Sequence, residues 1–478
     1  MMHTFLNHKK TYGILWFFLV MFNLSVTSSW AQTNVNRMEM RAFVSAKGMY
    51  DDGLYQLAAE KFQDFLNRYP QSDYAAKATF LCAESYFHQR LFTESVSFYL
   101  EMLNSYSALE LRDRAQYRIG QALYYAGKYQ DAVRELREFL EIYPQSSLID
   151  QAYYWLGESY YNLEMFDDAL KQYAIVIARF PQSSIADYAL YSAAWIYENR
   201  EDYQRAQAAY QKLLAEHPQT PLRPQTEFHL GFTLYGRENY SDALDRLTEA
   251  IKQYPNHELA LQARFLIAEC NFKSANFEKA AKIYDEIIQQ GNNRFVDDAL
   301  YSSGWANVEQ KKYNEAIANF QDLINRFPES DLLSSAYFQL GKTYLALNRN
   351  KNARATFEII QNNYPSAREA AAAIYEIGSL DFSTQKYSTA LNNFEYIINK
   401  YKDAPVAADA CFMAGECYLE QSDFANAEKR YSEVINNYTA RDVTPKAMLK
   451  LGRAQFQQNN YIFLFTFICL IFIGIPPC

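Results

Sequence analysis

The chain has 478 residues, 49% of them hydrophobic and 16% aromatic, with a formal charge of −9. That balance argues against nucleic acid, which wants a clustered basic face, and six cysteines in such a length do not suggest a disulfide scaffold. No Gly/Ser linker or charge block divides the chain, so it reads as one array between two unusual ends.

Residues 1–31 read as a secretory signal. Lys9 and Lys10 precede an apolar run from Ile14 to Leu24, and Ser29 and Ala31 supply small residues at the cleavage positions, leaving Gln32 first. The apolar run is short for a span, which makes a membrane anchor the weaker alternative. Losing Lys9 and Lys10 takes the charge from −9 to −11.

Residues 32–460 hold a repeat. Equivalent positions are occupied by Ala58, Ser95, Ala132, Ala169, Ala206, Ala243, Ala280, Ala316, Ala353, Ala390 and Ala427, 37 residues apart with a single step of 36 at Ala316. A fixed period of this size marks a solenoid, in which each unit buries its apolar face on its neighbours. Twelve residues earlier lies Gly120, Gly157, Gly231, Gly304, Gly341, Gly378, Gly415 or Gly452, with Ala46, Ala83, Ala194 and Ala268 in other units. Four residues after the alanine comes a large residue such as Phe62, Tyr173 or Phe357, and twelve after it comes proline, as at Pro144 and Pro181.

Apolar spacing on either side of a short polar turn predicts two amphipathic helices per unit, for example about Asp113–Ala126 and about Tyr129–Ile142. A helical glycine costs roughly 1 kcal/mol against alanine, so the recurring glycines imply close approach of the two helices. The proline stops the second helix. The serines of Pro144-Gln-Ser-Ser147 and Pro181-Gln-Ser-Ser184 are expected to cap the next helix.

The twelfth unit begins with Leu451-Gly452 and then fails, with Leu464 where alanine is due. Residues 461–478 are an apolar tail ending in Pro476-Pro477-Cys478. Its apolar run falls short of the roughly 20 residues that span a bilayer, so an aberrant or truncated end is expected in preference to an anchor.

Little resembles a catalytic site. His88, His217, His229 and His257 are scattered without metal-ligand spacing, and Gly341-Lys342-Thr343 lacks the earlier glycine of a phosphate loop, Ala336 standing there. No cofactor is expected. Cys82, Cys270, Cys411 and Cys417 fall at mostly apolar positions of first helices and read as buried small hydrophobes.

The Gly, Ala, aromatic and Pro positions resemble the tetratricopeptide repeat, with three residues added to its usual 34 between proline and the next glycine. The resemblance implies an all-α, right-handed superhelical solenoid of about eleven complete helix-turn-helix repeats and one broken repeat. The Tyr-Pro-Gln-Ser and Phe-Pro-Gln-Ser steps, with Phe65-Leu66 and Phe139-Leu140 before such a step, are similar to the periplasmic BamD and CpoB (Tol-Pal) families. That likeness implies a periplasmic scaffold of a Gram-negative cell, with or without membrane association, binding envelope proteins. BamD-type proteins are lipoproteins, and here no cysteine follows the signal before Cys82. A wall-polysaccharide adaptor and the repeat half of a longer regulatory protein are the rival readings.

In the family the first helices line a concave groove. Three residues before the Gly/Ala stand Phe80, Tyr117, Tyr154, Tyr191, Phe228, Phe265, Tyr301, Phe338, Tyr375 and Phe412. One turn on, the residues vary, including Glu158, Trp195, Phe232, Glu269 and Trp305. The candidate groove is therefore Tyr154, Glu158, Tyr191, Trp195, Phe228, Phe232, Phe265, Glu269, Tyr301 and Trp305, aromatic anchors beside a row that sets specificity. Packing of the aromatics between adjacent first helices is the competing reading.

Overall fold

A computed structural model describes residues 37–106, 109–291, 293–438 and 442–458. The signal reading of 1–31 and the tail 461–478 lie outside these residues.

The described residues fall into two compact units, divided between Arg237 and Glu238. In the first, α1 (37–51) packs with α2 (Tyr55–Arg68), α3 (Ala75–His88) with α4 (Phe92–Ser105), and α5 (Leu109–Tyr125) with α6 (Tyr129–Ile142). Next come α7 (Ile149–Asn162) with α8 (Phe166–Arg179), α9 (Ala186–Asn199) with α10 (Tyr203–Glu216), and then α11 (Arg223–Gly236). The second unit holds α12 (Tyr240–Gln253), α13 (Ala260–Lys273) paired with α14 (Phe277–Gln289), and α15 (Val296–Glu309) paired with α16 (Tyr313–Arg326). It continues through α17 (Leu333–Ala346) with α18 (Asn350–Asn363), α19 (Ala370–Ser383) with α20 (Tyr387–Lys400), α21 (Ala407–Glu420) with α22 (Phe424–Asn437), and α23 (Thr444–Gln457). No strand occurs among the described residues. The expected second helix at Tyr129–Ile142 matches α6, whereas α5 starts at Leu109 instead of near Asp113.

The repeat alanines are fully buried from Ala58 to Ala427. Ser95 is equally buried and donates its hydroxyl to the Ala83 carbonyl at 2.9 Å, which is how one unit tolerates the exception. The glycines explain themselves through side chains. A β-carbon on Gly157 would stand 2.5 Å from Tyr173 Cε1, and one on Gly304 2.5 Å from Phe320 Cε1. The close approach is thus between a first-helix backbone and the ring of the second helix, and Gly120 plays the same part toward Leu136.

The turn inside each repeat needs a left-handed residue. Gly53 and Gly127 supply it at two turns, but Arg90, Glu164, Glu201, Ala275, Lys311, Asn348, Gln385 and Ser422 adopt φ of 57–63° elsewhere.

The expected serine caps are not what forms. The residue before α7, Leu148, caps it without a side-chain bond. Ser146 instead accepts the Leu148 N–H at 3.2 Å and donates to Asp113 in the preceding first helix at 2.7 Å. Thr220 bonds Asp187 at 2.7 Å and Ser330 bonds Asp297 at 2.8 Å in the same way, and Ser183 bonds Asp150. A short polar residue after the proline therefore bolts one repeat to the one before it.

Candidate functional site

The aromatic row of the first helices faces the second helix of its own repeat. Ring centroids lie 6.1 Å apart for Tyr154 and Tyr173, 5.9 Å for Tyr191 and Tyr210, 5.7 Å for Phe265 and Tyr284, and 6.0 Å for Tyr301 and Phe320. These tilted pairs keep their centroids within the 4.5–7 Å range of favourable aromatic packing. Tyr154 and Phe228 are buried, and Tyr191, Phe265 and Tyr301 are half-buried. Much of this row's ring surface is thus spent on the repeat core.

The next row is half-exposed at Glu158, Trp195, Phe232, Glu269 and Trp305. Its variation follows the second helix. Tyr173 donates to Glu158 Oε1 at 2.7 Å, and Tyr284 to Glu269, Tyr99 to Glu84 and Tyr431 to Glu416 in the same register, 15 residues apart. Where the second helix carries Leu136, Phe320, Phe357 or Phe394, the row holds Gln121, Trp305, Lys342 or Ser379. A buried phenol needs an acceptor and a phenyl ring does not. Tyr210 is the exception: Trp195 occupies the glutamate's place, and the Tyr210 hydroxyl and Glu198 Oε2 are buried without a hydrogen-bond partner.

Electrostatics follow burial. Burial, then the Glu158 charge, drives the Tyr173 phenol well above its usual range. Burial also raises the Glu158 carboxyl, against hydrogen bonds from Tyr173 and Ser192 that act to lower it. Among the described residues no lysine or arginine forms an ion pair with this glutamate, and no cation is among the causes that move its pKa.

The structure gathers some predicted residues into cavities, one in each unit. In the first, Glu158, Tyr191 and Trp195 join Tyr161, Ser192 and His229 around about 250 Å³. Trp195 Nε1 donates to Tyr161 Oη at 2.9 Å, and Ser192 donates to Glu158 Oε1 at 2.8 Å. In the second, Glu269, Tyr301 and Trp305 join Phe272, Lys273, Ser302 and Glu309 around about 550 Å³, and Ser302 donates to Glu269 Oε1 at 3.2 Å. Tyr154, Phe228, Phe232 and Phe265 line neither cavity. Ser192 and Ser302 were missed from sequence, although Tyr191-Ser192-x-x-Trp195 and Tyr301-Ser302-x-x-Trp305 share one pattern.

The repeats match a tetratricopeptide family model over residues 117–184, 156–221 and 229–295, and a second tetratricopeptide model over 409–439. Residues 293–413 match the outer membrane lipoprotein family. No curated protein matches the sequence. Among solved structures, a tetratricopeptide repeat protein from Parabacteroides merdae is 15% identical, covering 56% of this chain and 98% of its own, with a TM-score of 0.39. Naa15/Naa10 bound to HypK-THB is 15% identical over 91% of this chain and 68% of its own, at a TM-score of 0.35. PilW, a type IV pilus biogenesis factor, is 16% identical over 48% of this chain and 100% of its own, at 0.39. Consecutive helices pack as helix-turn-helix pairs and the repeat models match over these stretches, so the chain is a tetratricopeptide-repeat protein, and over residues 293–413 it resembles the outer membrane lipoproteins of the BamD type.

Proposed function

We propose that the chain is a non-catalytic periplasmic scaffold that holds protein partners on the half-exposed row of its first helices and serves assembly or maintenance of the cell envelope. The match of residues 293–413 to the outer membrane lipoprotein family is the observation that carries the envelope assignment. The basic residues and apolar run within 1–31 support export. Among the described residues no helix is long and apolar enough to cross a membrane.

The test is to express the chain in its source cell, crosslink, and identify what co-purifies. Envelope-assembly or Tol-Pal proteins are expected. Wall glycan without a protein partner would move the reading to a polysaccharide adaptor, and nothing above background would sink it. With a partner in hand, replacing Trp195, Phe232 and Trp305 by alanine together should weaken binding while the helical signal persists. Unchanged affinity rejects this row as the binding surface.

A further inference from the structure

The four glutamates that accept from a second-helix tyrosine differ in what the next first helix brings to them. Beside Glu84 it brings Arg118, whose Nε lies 2.9 Å from Oε1 and whose Nη2 reaches Oε2 at 3.2 Å. The same guanidinium sits 4.8 Å from the centre of the Phe87 ring. Beside Glu416 the next helix brings Lys450, which reaches Oε2 at 2.5 Å. Beside Glu158 and Glu269 the corresponding residues are Ser192 and Ser302, and there the two cavities open.

The walls of those cavities repeat the Arg118 site. Tyr161 and Phe272 occupy the place of Phe87, three residues after the glutamate, and Trp195 and Trp305 add a second aromatic wall. The bonds that Ser192 and Ser302 make go to Oε1, the oxygen their tyrosines also use. In the sister repeats Oε2 takes Lys450 beside Glu416, while beside Glu84 Arg118 spans both oxygens, Nε on Oε1 and Nη2 on Oε2. A carboxylate beside an aromatic face is the chemistry that recognises a guanidinium or ammonium, through charge-assisted hydrogen bonds and cation–π attraction. The second cavity carries Glu309 as well as Glu269 against one exposed lysine, Lys273, and the chain as a whole carries −9, so both site and molecule favour a basic ligand.

We propose that each cavity receives an arginine or lysine side chain from a basic segment of a partner protein, the cation seating where Arg118 and Lys450 sit in the closed repeats. This deepens the scaffold reading and rests on it: two repeats leave unfilled what two others fill from their own chain.

The test is calorimetric titration of the full chain with a short Gly/Ser peptide carrying spaced arginines, the same peptide with glutamates, and free arginine amide. The arginine peptide is expected to bind and the glutamate peptide not, with arginine amide much weaker than the peptide. Ser192→Arg with Ser302→Arg, which supplies the cation in cis, should abolish binding. Glu158→Gln with Glu269→Gln, which keeps an acceptor for each tyrosine, should weaken it about 10- to 100-fold. Equal binding of the two peptides, no binding of the arginine peptide at millimolar concentration, or undiminished binding by both double variants would overturn the proposal. Arginine amide binding as tightly as the peptide would overturn the assignment to a protein segment. A crosslinked partner that loses affinity with the tryptophan variants but not with the serine variants would leave the scaffold standing and remove this inference alone.

Discussion

The ring of Phe320 lies on the backbone of Gly304, so near that a β-carbon there would stand 2.5 Å from Cε1. Gly304→Ala must therefore push the ring or part the helices, at a cost of about 1–3 kcal/mol. Phe320→Ala empties the core and costs about 3–5 kcal/mol. In the Phe320→Ala background the glycine substitution should be nearly silent, because the clash has gone. A double-mutant cycle from urea midpoints checks this, and additive costs would refute it.

Two buried tyrosines at the same repeat position should respond oppositely to loss of the hydroxyl. Tyr431 donates to Glu416, so Tyr431→Phe should cost about 1.5–3 kcal/mol. The Tyr210 hydroxyl is buried without a partner, so Tyr210→Phe should be neutral or stabilising. Thermal melts of the two variants decide it, and equal destabilisation would contradict the pairing rule.

Glu158 carries a pH signature. Burial raises its carboxyl pKa in the folded state, so the folded protein is penalised when this group is charged, above the folded value. As pH falls through the raised value toward the unfolded one, protonation relieves that penalty. Glu158→Gln, which never ionises, should therefore be at least as stable as the parent at neutral pH. The difference should close in acid, where both side chains are neutral. Melting both proteins across pH 4 to 8 tests the sign, and a variant less stable at pH 7 would reverse it.

Cys82, Cys270, Cys411 and Cys417 are buried free thiols, each pushed up to about 12 by burial. With Cys469 and Cys478 replaced by serine, the native protein should not react with a thiol reagent at pH 8, and the unfolded protein should react at all four. Rapid native labelling would show a thiolate that this packing forbids.

At the turn before α8, Glu164 sits at φ 60°. Glu164→Gly removes a left-handed penalty of about 1–2 kcal/mol and adds about 0.5–1 kcal/mol of unfolded-state entropy. A small net gain in stability is expected, read as a higher urea midpoint, and a loss would mean that the glutamate side chain matters there.

The period, the alanine positions and the end of α6 at Ile142 were legible because each is a local signal: spacing, size and a following proline. The start of α5 was not. Its predecessor lacks the proline, and Arg112 staples the end of α4 instead by bonding the Leu103 and Tyr106 carbonyls at 2.7 and 3.2 Å. The role of Ser146 was misread because its partner, Asp113, lies 33 residues away, where only the stacked fold brings it. The variable row looked like specificity alone, yet its glutamates follow a spacing of 15 to a tyrosine that the sequence displays. Without the helix pairing, nothing tied one column to the other.

That column of tyrosine–glutamate pairs has a bearing on how the chain assembles. Near-identical repeats invite a first helix to dock on the second helix of the wrong unit, since alanine and ring positions match everywhere. A slip by one unit would set Glu84 against Leu136 and Glu269 against Phe320. Each such mismatch strands a hydroxyl or a carboxylate away from water, a cost that the shared apolar pattern does not impose. The pairs thus act as keys distributed along a repetitive lock, favouring the one alignment in which Tyr99, Tyr173, Tyr284 and Tyr431 each meet a glutamate.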